Sequence, residues 1–232
     1  GSRRQWRGEE RPGQDMARCL LSAPPDFDWQ GIDPPQIPKK DLVIYEAHLR
    51  AYTMDDPLNK APGTYLGMVE RLDHLREMGI NAIEFIVYNH TAWPNCSWES
   101  LDSKSTYLKD HHGAHTNYSG CGNTVQANDP ATEAMILASL RHWAREFHVD
   151  GFRFDLTACL WRGADGGLMT SPPVIRAIEA DPDLKRCHLI AEPWDAAGAY
   201  QVGWGYSPRW IQWNGSFRDV VRRFMKGDSG QT

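Results

Sequence analysis

The sequence has no apolar run near the roughly 20 residues that cross a bilayer, no C-x-x-C pair, and no large surplus of either charge. A net charge of −5 and a pI near 6.0 give no basis for nucleic acid or an anionic membrane as partner. The five cysteines, Cys19, Cys96, Cys121, Cys159 and Cys187, are odd in number and scattered, which favours free thiols in a reducing compartment over a disulfide framework. His111, His112 and His115, near Cys96 and Cys121, match no zinc spacing and read as a solvated loop. Asn89 and Asp129 offer oxygen donors, but nothing dictates a calcium site, so neither metal nor cofactor is expected. The sequons at Asn89, Asn95, Asn117 and Asn214 matter only in a secreted protein and are taken as coincidental. The chain opens on Gly1 with no initiator Met and no apolar leader. It therefore reads as a piece of something longer, and missing targeting segments carry no information. Internal repeats and a second domain are also absent.

What the chain does have is 232 residues at 41% hydrophobic content, enough for one sizeable core. Ten Trp and eight Tyr lie in part within Gly-rich polar stretches such as Trp204-Gly205-Tyr206 and Trp210–Gly215. Aromatics there serve either as platforms for flat faces such as sugars or as buried loop anchors.

Residues 1–40 are Arg- and Pro-rich and read as a loosely ordered lead-in. From residue 41 to 232 the pattern is α/β. Leu42–Glu46 is a short run of β-formers and predicts a buried strand. A helix is expected over Thr64–Met78 with Met68, Leu72, Leu75 and Met78 inward and Gly79 as its stop. A strand over Ile80–Tyr88 then completes a βαβ unit. The polar stretch 89–128 is long for a loop without a function. Asp129-Pro130 opens the next helix as N-cap and first turn, with Ile136, Leu140, Trp143, Ala144 and Phe147 inward. A strand ending at Asp155, a short helix near Pro173–Ala180, a strand over His188–Glu192 and a helix marked by Phe217, Val220, Val221 and Phe224 follow. This order suits a (β/α) barrel, whose active site lies at the C-terminal ends of its strands. About four strands are counted, where a closed barrel has eight.

Two of those strand ends carry carboxylates. In Gly151-Phe152-Arg153-Phe154-Asp155, residues two apart share a face, so Arg153 and Asp155 point together. The apolar run Leu189-Ile190-Ala191 ends in Glu192. Glycosidic hydrolysis uses such a pair: an ionised nucleophile, which a neighbouring cation favours, and a protonated acid, which apolar surroundings favour. Asp155 beside Arg153 fits the first role, and Glu192 beside Ile190, Pro193 and Trp194 fits the second. A strand-end R-x-D is more often a structural ion pair, and the residues by themselves favour that reading over catalysis.

Gly151–Leu156, Ala191–Asp195 and Val87–His90 resemble three of the four signature regions of the α-amylase superfamily (glycoside hydrolase 13). Longer stretches are similar to isoamylase-type starch and glycogen debranching enzymes. These include Asp41–Arg50 (DLVIYEAHLR), Asn117–Thr124 (NYSGCGNT), His148–Asp155 (HVDGFRFD), Leu189–Gln201 (LIAEPWDAAGAYQ) and Trp213–Asp228 (WNGSFRDVVRRFMKGD). The resemblance implies a (β/α)8 TIM-barrel hydrolase that cleaves α-1,6 branch linkages of glucan with retention. It implies Asp155 as nucleophile, Glu192 as general acid/base, Arg153 holding Asp155, His90 bonding the sugar, and Trp194 and Tyr45 lining the cleft. It further implies branched α-glucan as partner, association with related debranching subunits, and a plastid location for a plant or algal chain or the cytoplasm for a bacterial one. A non-catalytic glucan-binding or subunit-interaction relative, or an incomplete gene product, is the alternative.

The pattern departs from the family in three places. Phe85 stands where the family has an aspartate, five positions before His90, that supports the arginine. Gly79–Ile86 reads as the family's second strand and Val87–Thr91 as the end of its third, with several tens of residues missing between them. The fourth signature region, with its third carboxylate, has no counterpart, nor do the last barrel strands.

Overall fold

The computed structural model describes residues 28–31, 33, 35–80, 84–91, 97–100, 102 and 104–228. The chain divides into a unit Gly1–Asp33 and a unit Pro34–Thr232. Of the first, Asp28–Gly31 form a turn in which Asp28 accepts from the Gln30 amide. Most of the expected lead-in lies outside the described residues.

The second unit is organised by a parallel sheet. Its strands are β1 (Glu84–Ile86), β2 (Gly151–Phe154), β3 (His188–Ala191) and β4 (Trp210–Gln212), and they lie in chain order. Phe85 is in register with Arg153, Arg153 with Ile190, and Ile190 with Ile211. Parallel neighbours need long crossovers, and two helices serve between the central strands: α4 (Pro130–Glu146) before β2 and α5 (Pro173–Ala180) before β3. Phe152, Phe154, Leu189 and Ala191 share one core cluster with Ile136, Leu140 and Ala144 of α4 and Val174, Ile175 and Ile178 of α5. The i, i+4, i+8 spacing on α4 makes that stripe. Its start is the expected one, with Asp129 accepting from the Ala131 amide at 2.9 Å and Pro130 in the first turn. Trp143 is only partly buried and Phe147 is exposed, because Phe147 is already the C-cap. Asn128 ties these layers together: its Nδ2 donates to the carbonyls of Leu160 and Arg162, and its Oδ1 accepts from the Val174 amide.

Elsewhere the structure departs from the pattern. Leu42–Glu46 is not a strand. Ile44 makes one isolated bridge, and Val43, Ile44 and Tyr45 are exposed, Tyr45 by 51%. A run of β-formers becomes a strand only against a neighbour. Among the described residues the expected βαβ unit therefore does not form. Its helix is also split. After α1 (Leu49–Met54) come α2 (Tyr65–Val69) and α3 (Leu72–Glu77), broken at Glu70-Arg71. Polar anchors make the break: Glu70 accepts from the Lys60 amide and Arg71 pairs with Asp56. The stripe at Leu72 and Met78 is exposed rather than buried. Gly79 ends the segment at φ +72°, a conformation in which glycine carries no penalty.

β4 lies within what read as an aromatic loop. Three residues are too few to show a period, and its register with β3 is what makes it a strand. The final helix, α6 (Gly215–Lys226), is capped by Asn214 and stopped by Gly227, but Phe217 and Phe224 are 67% and 78% exposed. The long polar stretch 89–128 is built partly from single bridges, His90 with Thr124 and Tyr107 with Val125, around buried Tyr107, Leu108 and Val125. Among the described residues the sheet has four strands and no helix is long and apolar enough to cross a membrane.

Candidate active site

Asp155 and Glu192 each stand one residue beyond a strand, β2 and β3, that pair directly. Glu192 N donates to Phe154 O at 3.1 Å, and Thr157 N to Glu192 O at 2.8 Å, so the two strand ends are laced together. Leu156 between them is left-handed, at φ 39° and ψ 55°. A bulky residue seldom adopts that conformation. Here it accompanies a hydrogen bond from the Leu156 amide to Glu192 Oε2 at 3.0 Å.

Arg153 joins the two carboxylates. Its Nη1 lies 2.7 Å from Asp155 Oδ1 and its Nη2 2.8 Å from Glu192 Oε2. The three side chains are 9%, 19% and 13% exposed. The guanidinium also sits 4.3 Å from the centre of the Trp213 ring, just past β4. The aspartate that the family pattern expects at position 85 is Phe85, whose Cα is the register partner of Arg153. In this chain two carboxylates and an indole face hold the guanidinium.

Asn89, fully buried, donates Nδ2 to the second oxygen of Asp155 at 2.9 Å and to its carbonyl at 2.8 Å. Its own carbonyl accepts from the Val125 amide, and its Oδ1 meets His90 Nδ1. His90 thus lies one side chain away from Asp155.

These surroundings push the two carboxyl groups apart. Burial raises Asp155, but hydrogen bonds from Asn89, Arg153 and Glu192 outweigh it and hold its pKa below the usual value. Burial raises Glu192. The Leu156 amide and Arg153 oppose that rise, the Asp155 carboxyl adds to it, and the result lies above the usual value. The ionised form of one group and the protonated form of its neighbour are thereby favoured, which is the direction that acid–nucleophile chemistry needs.

Trp194 lies in the loop after β3 and stacks on Tyr200, with ring centres 6.0 Å apart. The loop is anchored by Asp195, buried, which accepts from Arg162 Nε at 3.0 Å and Nη2 at 2.5 Å. Arg162 in turn donates to Gly166 O and lies 3.7 Å from the Tyr118 ring centre. Asp155, Glu192, Arg153 and His90 are thus gathered at one end of the sheet, with Trp194 two residues beyond Glu192. Tyr45 is not brought to them: its ring meets Tyr52, at 6.0 Å. The sequence reading missed the role of Asn89, whose signal was its place beside His90. It also missed Trp213, which nothing in its local pattern singles out. Among the described residues no group of three or more His, Cys, Asp or Glu could hold a metal ion. Cys159 is buried and its thiol is pushed up to about 12, so it is not a nucleophile at neutral pH.

No protein-family profile matches the chain. It is 35% identical to a rice chloroplastic isoamylase 3, over 96% of the chain and 39% of that protein. It is 30% identical to the glycogen debranching enzyme of Pectobacterium atrosepticum, over 96% of the chain and 44% of the relative. The chain thus spans about two fifths of the curated relatives it matches. The rice alignment runs over 309 positions, more than the 232 residues available here, so the relative carries residues opposite gaps in this chain. Among solved structures, an Anoxybacillus pullulanase complexed with maltotetraose matches with a TM-score of 0.50 and 28% identity, over 70% of the chain and 24% of that structure.

Proposed function

Because the chain is a relative of the isoamylase-type starch and glycogen debranching enzymes of the α-amylase superfamily, we propose that it corresponds to part of a (β/α)8 catalytic barrel that hydrolyses α-1,6 branch linkages of α-glucan with retention. The observation that carries this reading is the shared guanidinium. Arg153 joins Asp155 and Glu192 at the C-terminal ends of adjacent parallel strands, and the surroundings drive their pKa values in opposite directions. The four strands then form one arc of the barrel.

In this mechanism Asp155 attacks the anomeric carbon while Glu192 gives its proton to the departing glycosidic oxygen. The glycosyl–Asp155 ester is then hydrolysed by a water that Glu192, now a carboxylate, deprotonates. Arg153 and Asn89 keep Asp155 ionised and aimed. His90 bonds the sugar at the cleavage point, and Trp194 and Tyr45 line the glucan path, Tyr45 once its segment is folded against the rest of a barrel. The exposed apolar faces of α2, α3 and α6 suit association with further barrel elements or with related debranching subunits. The chloroplastic relatives support a plastid location for a plant or algal chain, and the cytoplasm is proposed for a bacterial one.

A second reading, a glucan-binding or subunit-interaction relative without turnover, is favoured by Phe85, which stands where the family pattern has the aspartate that supports the arginine. Reducing-end release from amylopectin by the purified chain decides between them. Release that disappears in Asp155→Asn supports hydrolysis. Co-sedimentation with amylopectin without release supports binding alone, and neither release nor co-sedimentation overturns both.

A further inference from the structure

Tyr200 was not among the residues expected to touch substrate, yet the fold stacks its ring on that of Trp194, two residues beyond Glu192. The chain turns back on itself after β3. Trp194 and Tyr200 form an antiparallel bridge, Asp195 N donates to Ala199 O at 3.2 Å, and Gln201 N to Pro193 O at 2.7 Å. Asp195 Oδ1 accepts the amides of Ala197 and Ala199 across the tip of this turn, while its other oxygen is tied to Arg162. The turn is therefore fixed by a buried carboxylate.

Bridged residues project from the same face, and the two rings are parallel within 11°. Trp194 is flanked by Tyr200 and by the Arg218 guanidinium, 5.7 Å from its ring centre. Tyr200 remains 50% exposed. Its hydroxyl is held at the start of α6, with the Ser216 amide at 3.1 Å, Ser216 Oγ at 3.2 Å and Asn214 Oδ1 at 3.5 Å. Gly215, the first residue of α6, lies beside both rings: a Cβ there would be in ordinary van der Waals contact with each, at 3.5 Å. A half-exposed aromatic fixed at its polar end and stacked on a neighbouring ring is a preorganised surface for a flat apolar partner, because little side-chain entropy remains to be lost on binding.

We propose that Tyr200 is a carbohydrate platform, stacking against a glucose ring of the α-glucan next to the bond addressed by Glu192. This rests on the glucan reading of the site. The ring face does the binding, since the hydroxyl is already engaged.

The test is calorimetric titration of the full chain with maltotetraose, with near-UV circular dichroism to confirm the fold of each variant. Tyr200→Phe, which keeps the face, is expected to bind within about twofold of the parent, and Tyr200→Ala to bind roughly tenfold more weakly, the usual scale for removing an aromatic anchor. Tyr200→Leu, which keeps apolar area without a flat face and guards against a fold defect in the alanine variant, is expected to follow the alanine variant. Parent-like binding by Tyr200→Ala or Tyr200→Leu overturns this proposal and leaves the glucan reading intact. Equal weakening by Tyr200→Phe and Tyr200→Ala also overturns it, since the hydroxyl and not the ring would then matter. A parent chain that binds neither maltotetraose nor amylopectin overturns the glucan reading as well.

Discussion

Arg153→Gln tests the central feature of the site without requiring any turnover. It removes a guanidinium placed 2.7 and 2.8 Å from two carboxylates, in a cluster whose side chains are 9–19% exposed. Deleting one partner of a buried pair costs about 3–5 kcal/mol, because the charge left behind has lost its compensation. The expected loss is therefore about 4 kcal/mol near neutral pH, or roughly 8–16 °C in melting temperature for a chain of this size. The pH dependence distinguishes electrostatics from packing. In the parent, the folded pKa of Asp155 lies below its unfolded value. Its contribution is present above the unfolded value and is lost as the pH falls through the folded one. The folded pKa of Glu192 is raised, so its contribution is present below the unfolded value and lost as the pH rises through the folded one. Without Arg153 both folded values rise, and ionising either group then opposes folding. The gap between parent and variant should be smallest near about pH 4 and widen toward about pH 7. Urea unfolding followed by tryptophan fluorescence at several pH values and one ionic strength measures it. A gap that does not change with pH, or one below about 1 kcal/mol near neutrality, would refute the view that the carboxylates depend on this guanidinium.

Trp213→Leu removes the indole face under Arg153, worth up to about 2 kcal/mol in a desolvated setting. The side-chain carboxyl carbon of Asp155 should then titrate at a higher pH by NMR, and an unchanged titration contradicts the assigned role. Arg162→Met strands the buried Asp195, at 0% side-chain exposure. It should cost about 3–5 kcal/mol in chemical denaturation, much of it recovered when Asp195 is also replaced by an apolar residue. Asn128→Ala breaks three hydrogen bonds between the sheet-end loops and α5. A loss of about 2 kcal/mol and faster amide exchange at Val174 are expected.

The readable parts of this sequence were those whose signal is local. Asp129-Pro130 marked a helix start because a capping oxygen and a proline act within a single turn. Gly151–Phe154 and His188–Ala191 were legible as strands because they are apolar and bounded by polar residues, and both are central in the sheet. Leu42–Glu46 carried the same signal and is not a strand, since no neighbour among the described residues offers it a ladder. Trp210–Gln212 carried almost none and is one, since β3 lies alongside. The stripes of α3 and α6 show the same dependence: the residues are spaced correctly for a buried face, but in this chain nothing among the described residues covers Leu72, Phe217 or Phe224.

The candidate site divides along the same line. The order of residues determined by itself that Asp155 and Glu192 end apolar strands and that Arg153 shares a face with Asp155, because alternation along a strand is set by backbone geometry. Tertiary structure alone decided that Arg153 also reaches Glu192, that Asn89 supplies the second oxygen of Asp155 with a donor, and that Trp213 stacks beneath the guanidinium. Those contacts join segments far apart in the chain, and the pKa separation of the two carboxyl groups arises from burial and hydrogen bonds that exist only once the segments have met. A strand-end arginine and aspartate that by themselves read more readily as a structural pair become, in the folded chain, one half of a charge arrangement shared with Glu192.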